Sequence, residues 1–408
     1  MERYILAAVA TGDFESAEAS LEELAMLVDT AGGKAVFKVV QALDAVNNAT
    51  YVGKGKAEEL AGLMQELEAD GIVCDDELTP VQMRNLSEIT DSKVIDRTIL
   101  ILDIFAAHSH TAEGKLQVEM AQLKYRVSHL AGAGTALSRL GGGIGTRGPG
   151  EKKLESDRRV IRKRIAVLSK ELEKLQKSRE TTRKQRMRSG IPVIAITGYT
   201  NAGKSTLLNR LTRAGILAED KLFATLDPTT RSCILPGNRK VLFTDTVGFI
   251  HKLPHHLIDA FRSTLEEARF SDVILHVVDA SDPEYELHVK VVYDTLRTLG
   301  VLDKPVITVF NKMDAVSGEA FLRDPTADAV VRVSAKTGEG MDKLVENIRD
   351  TLMSGQTYLK RIFDYSEAGM LERIRNSGYL IKEEYLPEGI RVEAYVPDSL
   401  FAAGAGYD

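Results

Sequence analysis

The sequence has no tryptophan and only two cysteines in 408 residues. Cys74 and Cys233 lie far apart, with no Cys or His companions at metal-ligand spacing. That speaks against a disulfide framework and a zinc cluster; it fits a reducing compartment in which both thiols are core side chains. Long apolar runs are missing too: Ile99–Leu102 and Val273–Leu275 are far too short to span a bilayer. The opening Met1-Glu2-Arg3-Tyr4-Ile5 lacks a signal-peptide layout and already reads as a strand. With no span, leader or lipidation signal, a cytoplasmic location is expected.

What is present is ordinary in bulk and uneven in distribution. The chain is 44% hydrophobic and 27% charged, and its length calls for two or three domains. A net charge of −6 does not by itself suggest a nucleic-acid partner, yet residues 151–188 hold 15 Lys/Arg against 6 Asp/Glu. Such asymmetry between segments points to a partner better than the total does.

Residues 3–10 read as a strand, and Phe14–Thr30 as an amphipathic helix stopped by Gly32-Gly33. Ala35–Val40, Gly71–Asp75 and Val94–Ile95 are further strand candidates, Lys56–Ala69 is a helix, and Thr79-Pro80 opens another. The alternation predicts a small α/β domain with a mostly parallel sheet to about residue 105. No glycine-rich fingerprint occurs in it. Tyr51–Lys56 lacks phosphate-loop spacing and reads as a surface turn.

Leu116, Met120, Leu123, Val127 and Leu130 then follow 4-3-4-3 spacing, and Ile161, Ile165, Leu168, Leu172 and Leu175 resume it. Two such seams predict an antiparallel helical hairpin whose longer second helix carries the basic excess. Acids there are too few to pair it off, so contact with nucleic acid is expected rather than a merely solvated face. Ala131–Gly150, with eight glycines in twenty residues, reads as a long loop between the helices. Ordering it is costly, which suits a segment that docks on a partner better than a plain linker.

Gly198-Tyr199-Thr200-Asn201-Ala202-Gly203-Lys204-Ser205-Thr206 follows the apolar run Pro192–Thr197 and precedes a helix pattern. Strand, G-x-x-x-x-G-K-S and helix make a phosphate-binding loop: backbone N–H groups cradle phosphate, Lys204 reaches the outer phosphates and Ser205 ligates magnesium. Asp245-Thr246-Val247-Gly248 supplies a carboxylate for the magnesium shell through water and an N–H for the γ-phosphate. Asn311-Lys312-Met313-Asp314 offers a carboxylate to the N1–H and amino group of guanine, which adenine cannot match. Ser334-Ala335-Lys336 can present a backbone N–H to guanine O6. Each stretch is weak alone; together, each at a strand end and in this order, they predict a GTP site. Strands at Val193–Thr197, Ser232–Leu235, Lys240–Thr244, Val273–Asp279, Val306–Asn311 and Val330–Val333 predict a doubly wound α/β domain around it. Tyr358–Tyr365, Ser366–Asn376, Tyr379–Tyr385 and Ile390–Val396 predict a small βαββ tail. The expected domains are 1–112, 113–190, 191–355 and 356–408.

Between the phosphate loop and Asp245 lies Phe223-Ala224-Thr225-Leu226-Asp227-Pro228-Thr229-Thr230-Arg231, a switch segment in which one threonine would complete the magnesium shell. Phe249 stands after Gly248, where many GTPases place a water-orienting glutamine, so turnover is expected to be slow without a partner. Asn201 occupies the position from which some GTPases recruit potassium, a tolerated polar residue being the alternative.

Over essentially its whole length the chain resembles the HflX family of ribosome-associated GTPases. The GGGIGTRGPGE loop, the FATLDPTTR switch, DTVGFI and the leading α/β-plus-hairpin region carry the resemblance; Lys152 stands where the family usually has threonine. The resemblance implies Thr225 as the magnesium threonine, beside Lys204 and Gly248 at the reacting phosphate. It also implies binding to the large ribosomal subunit, with the glycine loop directed to the peptidyl transferase centre, and GTP-dependent splitting of stalled or idle ribosomes under stress. Candidate ribosomal RNA contacts are Arg139, Arg147, Arg158, Arg159, Arg162 and Lys163, and the protein is expected to act as a monomer. The competing reading is an RNA-remodelling NTPase with a second, ATP site in the amino-terminal domain.

Overall fold

A computed structural model describes residues 1–137, 149–188, 191–212, 222–223, 229–236, 239–252, 267–316, 321–398 and 400–401. The chain forms two compact units. One comprises Met1–Leu175, Asp220–Asp227 and Ile250–Arg262; the other comprises Gln176–Glu219, Pro228–Phe249 and Ser263–Asp408.

In the first unit, β1 (Arg3–Ala10), β2 (Lys34–Ala42), β3 (Gly71–Cys74) and β4 (Lys93–Asp96) form a parallel sheet in the order β2-β1-β3-β4. β1 is buried on both faces after its first residue, as the unbroken apolar run requires of a central parallel strand. Helices α1 (Phe14–Thr30), α2 (Lys54–Glu66), α3 (Pro80–Thr90) and α4 (Arg97–His108) connect and follow the strands. Asp13 caps α1, and Thr79 with Gln82 forms a capping box ahead of Pro80 on α3. Each such cap stabilises its helix by about 1 kcal/mol. The parallel α/β expectation holds here.

Two local readings need correction. Tyr51 and Val52 are core residues, not a surface turn: Tyr51 takes a left-handed φ of 68°, and its hydroxyl donates to Asp76 at 2.7 Å. The helix α4 was not legible because Ile99–Leu102 is apolar on every side; its start is set by Asp96, whose carboxylate accepts from the Ile99 N–H at 2.9 Å.

The hairpin follows as α5 (Ala112–Leu137) and α6 (Pro149–Arg188). Glu119 takes two hydrogen bonds from Arg164, at 2.7 and 3.0 Å, and Ser169 meets Met120. Leu168 and Leu172 of the second seam are buried. On α5 the seam residues are only half-buried, whereas Gln117, Val118, Ala121 and Tyr125 are buried. That second face is tied to the sheet, since Tyr125 donates to Asp96 at 2.8 Å and His129 bonds the Leu78 carbonyl at 2.9 Å. The expected twenty-residue loop is shortened at both ends: the alanine-rich start continues α5 to Leu137, and Pro149 takes the first helical position of α6. Residues 138–148 of the glycine loop lie outside the described residues.

The second unit holds a six-stranded sheet in the order β10-β9-β8-β5-β7-β6. Its strands are β5 (Val193–Gly198), β6 (Thr229–Leu235), β7 (Arg239–Asp245), β8 (Val273–Asp279), β9 (Val306–Asn311) and β10 (Ala329–Arg332). All pairs are parallel except β6 with β7. Helices α7 (Lys204–Thr212), α8 (Tyr285–Thr298) and α9 (Met341–Met353) lie between or after strands. Ile194, Ile196, Phe243 and Leu275 pack with Leu207 and Leu208 of α7 and Leu344 and Ile348 of α9 in one core, as a doubly wound sheet requires. A third sheet, β11 (Gln356–Phe363), β13 (Gly389–Pro397) and β12 (Tyr379–Leu386), is antiparallel with β13 central. Helix α10 (Ala368–Ser377) contributes Leu371 and Ile374 to its core, which matches the βαββ expectation.

Candidate functional site

The carboxyl ends of β5, β7, β9 and β10 converge on the segment between β5 and α7, the crevice where open α/β sheets place their ligands. β5 ends at Gly198, and α7 starts at Lys204. Asn201 and Gly203 turn the chain with φ of 59° and 88°. A Cβ at Gly203 would stand 2.3 Å from Asn311 Nδ2, so both the backbone and the neighbour demand glycine there. Lys204 is buried, donates to the Tyr199 carbonyl at 2.7 Å, and is pushed down to about 8 by burial. The Tyr199 ring stacks on His288 of α8 at 3.7 Å; Thr200 and Ala202 are buried, and Thr206 is half-buried on the first turn of α7.

At the end of β7 the Ser205 hydroxyl donates to Asp245 Oδ2 at 2.9 Å, bringing together two oxygens of the kind magnesium takes. Thr246 turns the strand end back by donating both its N–H and its hydroxyl to the Ile196 carbonyl. Val247 is buried. Gly248 lies so close to the loop that a Cβ would be 2.9 Å from Lys204 Nζ and from Thr200 Cγ2. The next residue is bonded on both sides: Phe249 N–H donates to Gly198 O at 3.1 Å, and Thr200 N–H donates to Phe249 O at 2.7 Å. The Gly248–Phe249 main chain is therefore drawn across the phosphate loop.

Asn311 joins the remaining parts. It donates to the Ala202 carbonyl and accepts from the Ala335 N–H, each at 2.9 Å. Lys312 adopts φ 61° and pairs with Asp279, at the end of β8, at 2.7 Å; the Met313 N–H donates to Val333 O. Asp314 accepts from the buried Ser334 hydroxyl at 2.6 Å, which with nearby Lys336 and Lys312 holds its carboxyl below the usual range. The carboxylate is thus ionised at neutral pH, the form that accepts hydrogen bonds from N–H donors of a ligand. Lys336 is exposed.

Not every expected residue falls in described structure. Ala224, Thr225, Leu226 and Asp227 of the switch, and Arg139 and Arg147 of the glycine loop, lie outside the described residues. Phe223 is buried with φ 56°, its ring edge-on to Phe105 of α4 at 4.6 Å. On α6, Arg158 is half-buried, while Arg159, Arg162 and Lys163 are exposed. Asp279 and His288 were not singled out from sequence. The strand-end rule could have found Asp279, whereas nothing local marks a histidine that stacks across from another helix.

Three family models match in succession: the GTP-binding GTPase N-terminal region over residues 18–106, the GTP-binding GTPase middle region over 108–186, and the 50S ribosome-binding GTPase over 193–312. GTPase HflX of Lacrimispora saccharolytica is 60% identical, the alignment covering 98% of this chain and 95% of that protein. GTPase HflX of Escherichia coli is 42% identical, with 81% and 79% covered. Among solved structures, a GTP-binding protein from the archaeon Sulfolobus solfataricus in complex with GDP is 26% identical over 86% of this chain and 98% of its own, with a TM-score of 0.46. With a GTPase relative this similar along almost the full chain, and three family models of GTP-binding GTPases matching in succession, the chain belongs to the HflX family of GTPases.

Proposed function

We propose that this GTPase is a nucleotide-controlled switch that binds the large ribosomal subunit and drives the splitting of stalled or idle ribosomes. The observation that carries the ribosomal part is α6: forty residues long, with Arg159, Arg162 and Lys163 exposed on a stretch where bases outnumber acids 15 to 6. Such a helix tracks phosphate by charge, and the match to a 50S ribosome-binding GTPase model supports RNA of that subunit as the partner. No described helix is long and apolar enough to cross a membrane. A cytoplasmic monomer is the form in which this reading works.

At the nucleotide, Asp314 reads guanine while Asn311 locks the loop that cradles the phosphates. Lys204 exchanges its bond to Tyr199 for the β- and γ-phosphates, and its ammonium offsets charge that develops on the leaving group. Ser205 and Thr225 would hold magnesium directly and Asp245 through water, and the ion would supply further neutralisation of phosphate charge. Gly248 N–H turns to the γ-phosphate. Phe249 brings no polar group to the attacking water, so the partner completes the site. Steady-state GTP hydrolysis with and without large subunits tests this: stimulation of at least tenfold is expected, and equal rates would sink it.

A further inference from the structure

Two rings from different elements lie face to face beside the phosphate loop. Tyr199, the second residue of that loop, stacks on His288 of α8 with ring centroids 3.7 Å apart and planes 13° from parallel. Both belong to the second compact unit, as do Asp282 and Phe249. Tyr199 is buried. His288 lies in the first turn of α8, where its N–H donates to the Glu284 carbonyl at 3.1 Å and its Nδ1 stands 3.4 Å from Asp282 Oδ2. Asp282 is itself fixed: its other carboxylate oxygen accepts from the Glu284 N–H at 2.9 Å, and its carbonyl from the Tyr285 N–H at 3.2 Å. The histidine is therefore held from behind while its face covers the tyrosine.

Tyr199 is where the loop is tied together. Its carbonyl accepts from Lys204 Nζ at 2.7 Å and from the Ala202 N–H at 3.3 Å. The residues on either side of it, Gly198 and Thr200, exchange main-chain hydrogen bonds with Phe249. Two positions on, Asn201 is left-handed at φ 59°, a conformation that a residue with a side chain keeps only where surroundings impose it. Two side chains from other elements brace the loop from outside. Asn311 of β9 holds the Ala202 carbonyl, and His288 of α8 covers the Tyr199 ring.

We propose that His288 is a positioning residue for nucleotide binding: its ring, steadied by Asp282, clamps Tyr199 and keeps the phosphate loop in the shape that receives phosphate. A site that is correctly shaped for only part of the time loses affinity in proportion to that part. Removing the stack forfeits the stabilisation of one aromatic pair and lowers the population of the shaped loop about fivefold. Once phosphate is bound, the loop N–H groups hold it from within and the clamp is dispensable. His288 acts through Tyr199, so base choice does not depend on it. This rests on Gly198–Ser205 being the phosphate cradle.

The test uses the full chain without ribosomes. GDP affinity is read by fluorescent-nucleotide titration, and kcat and KM by steady-state GTP hydrolysis, for His288→Ala, His288→Leu and His288→Phe. His288→Ala and His288→Leu are expected to weaken GDP binding and raise KM about fivefold, with kcat within about twofold of the parent. His288→Phe restores a flat ring and brings affinity and KM back toward the parent. In a Tyr199→Ala chain, His288→Ala adds no further loss, because the partner ring is gone. Unchanged GDP affinity in His288→Ala, a loss in His288→Phe as large as in His288→Leu, or a full further loss in the Tyr199→Ala chain overturns the proposal. Should His288→Ala not fold, His288→Leu against His288→Phe carries the same decision. Failure of the parent chain to bind GDP would instead overturn the phosphate-site reading beneath it.

Discussion

Asn311 donates its side-chain amide to the carbonyl of Ala202 at 2.9 Å, so the residue that closes β9 shapes the phosphate loop 109 positions upstream. The same side chain accepts from Ala335, coupling the phosphate end of the site to its base end. Asn311→Ala leaves two buried main-chain groups without that partner. The expected cost is about 2 kcal/mol of stability. A fall in GDP affinity of about tenfold or more accompanies it, measured by fluorescent-nucleotide titration. Unchanged affinity would mean that the loop holds its shape by itself.

The proposed role of Asp314 is to set the base. Exchanging its acceptor for an amide, Asp314→Asn, leaves the guanine N1–H and amino group facing an N–H donor, while xanthine presents a carbonyl that this donor suits. GTP turnover at low substrate is expected to fall about 100-fold and XTP turnover to rise. Competition assays with GTP, XTP and ATP read this, and parallel losses for all three would point to misfolding rather than base recognition.

Lys204 makes nucleotide affinity depend on pH in one direction. Burial depresses it to about 8 in the free protein, and phosphates favour its charged form, so its pKa is higher in the complex. Binding above that value must take up a proton. Affinity for GDP is therefore full below pH 8 and falls by up to about tenfold per unit above it. Titrations from pH 7 to 9.5 check this, with Lys204→Arg expected to remove the dependence whatever its affinity.

The basic face of α6 gives a salt signature. Reversing Arg159, Arg162 and Lys163 together to glutamate is expected to weaken large-subunit binding about 100-fold or more and to flatten its dependence on salt by about three phosphate contacts. GTP turnover by the chain alone should not change, because none of these side chains is among the residues that build the site around Lys204.

Much of the candidate nucleotide site was legible because its parts are short and contiguous: a strand end, three to nine residues, and a turn. The phosphate loop, Asp245, Asn311, Asp314 and Ser334 each announce themselves locally, and the structure ties them together by side chains that face across strand ends. The parallel first sheet was legible from alternating strand and helix patterns. What stayed hidden depends on distance or on saturation. Tyr199 and His288 stack from different elements, and no local spacing links a ring in a glycine loop to one on a later helix. Helix α4 opens with the unbroken apolar run Ile99–Leu102, which masks its exposed face of Asp103, Ala106 and Ala107, while α5 buries Gln117, Val118, Ala121 and Tyr125, a face the heptad pattern does not mark. Tyr51 looked like part of a polar turn until its ring proved to fill the first core.

The central claim is that GTP controls attachment to the large ribosomal subunit. Co-sedimentation of the full chain with purified large subunits, in GDP and in a non-hydrolysable GTP analogue, tests it most directly. Retention with the analogue, lost in GDP and in high salt, is expected. Equal retention with both nucleotides, or none with either, would contradict it.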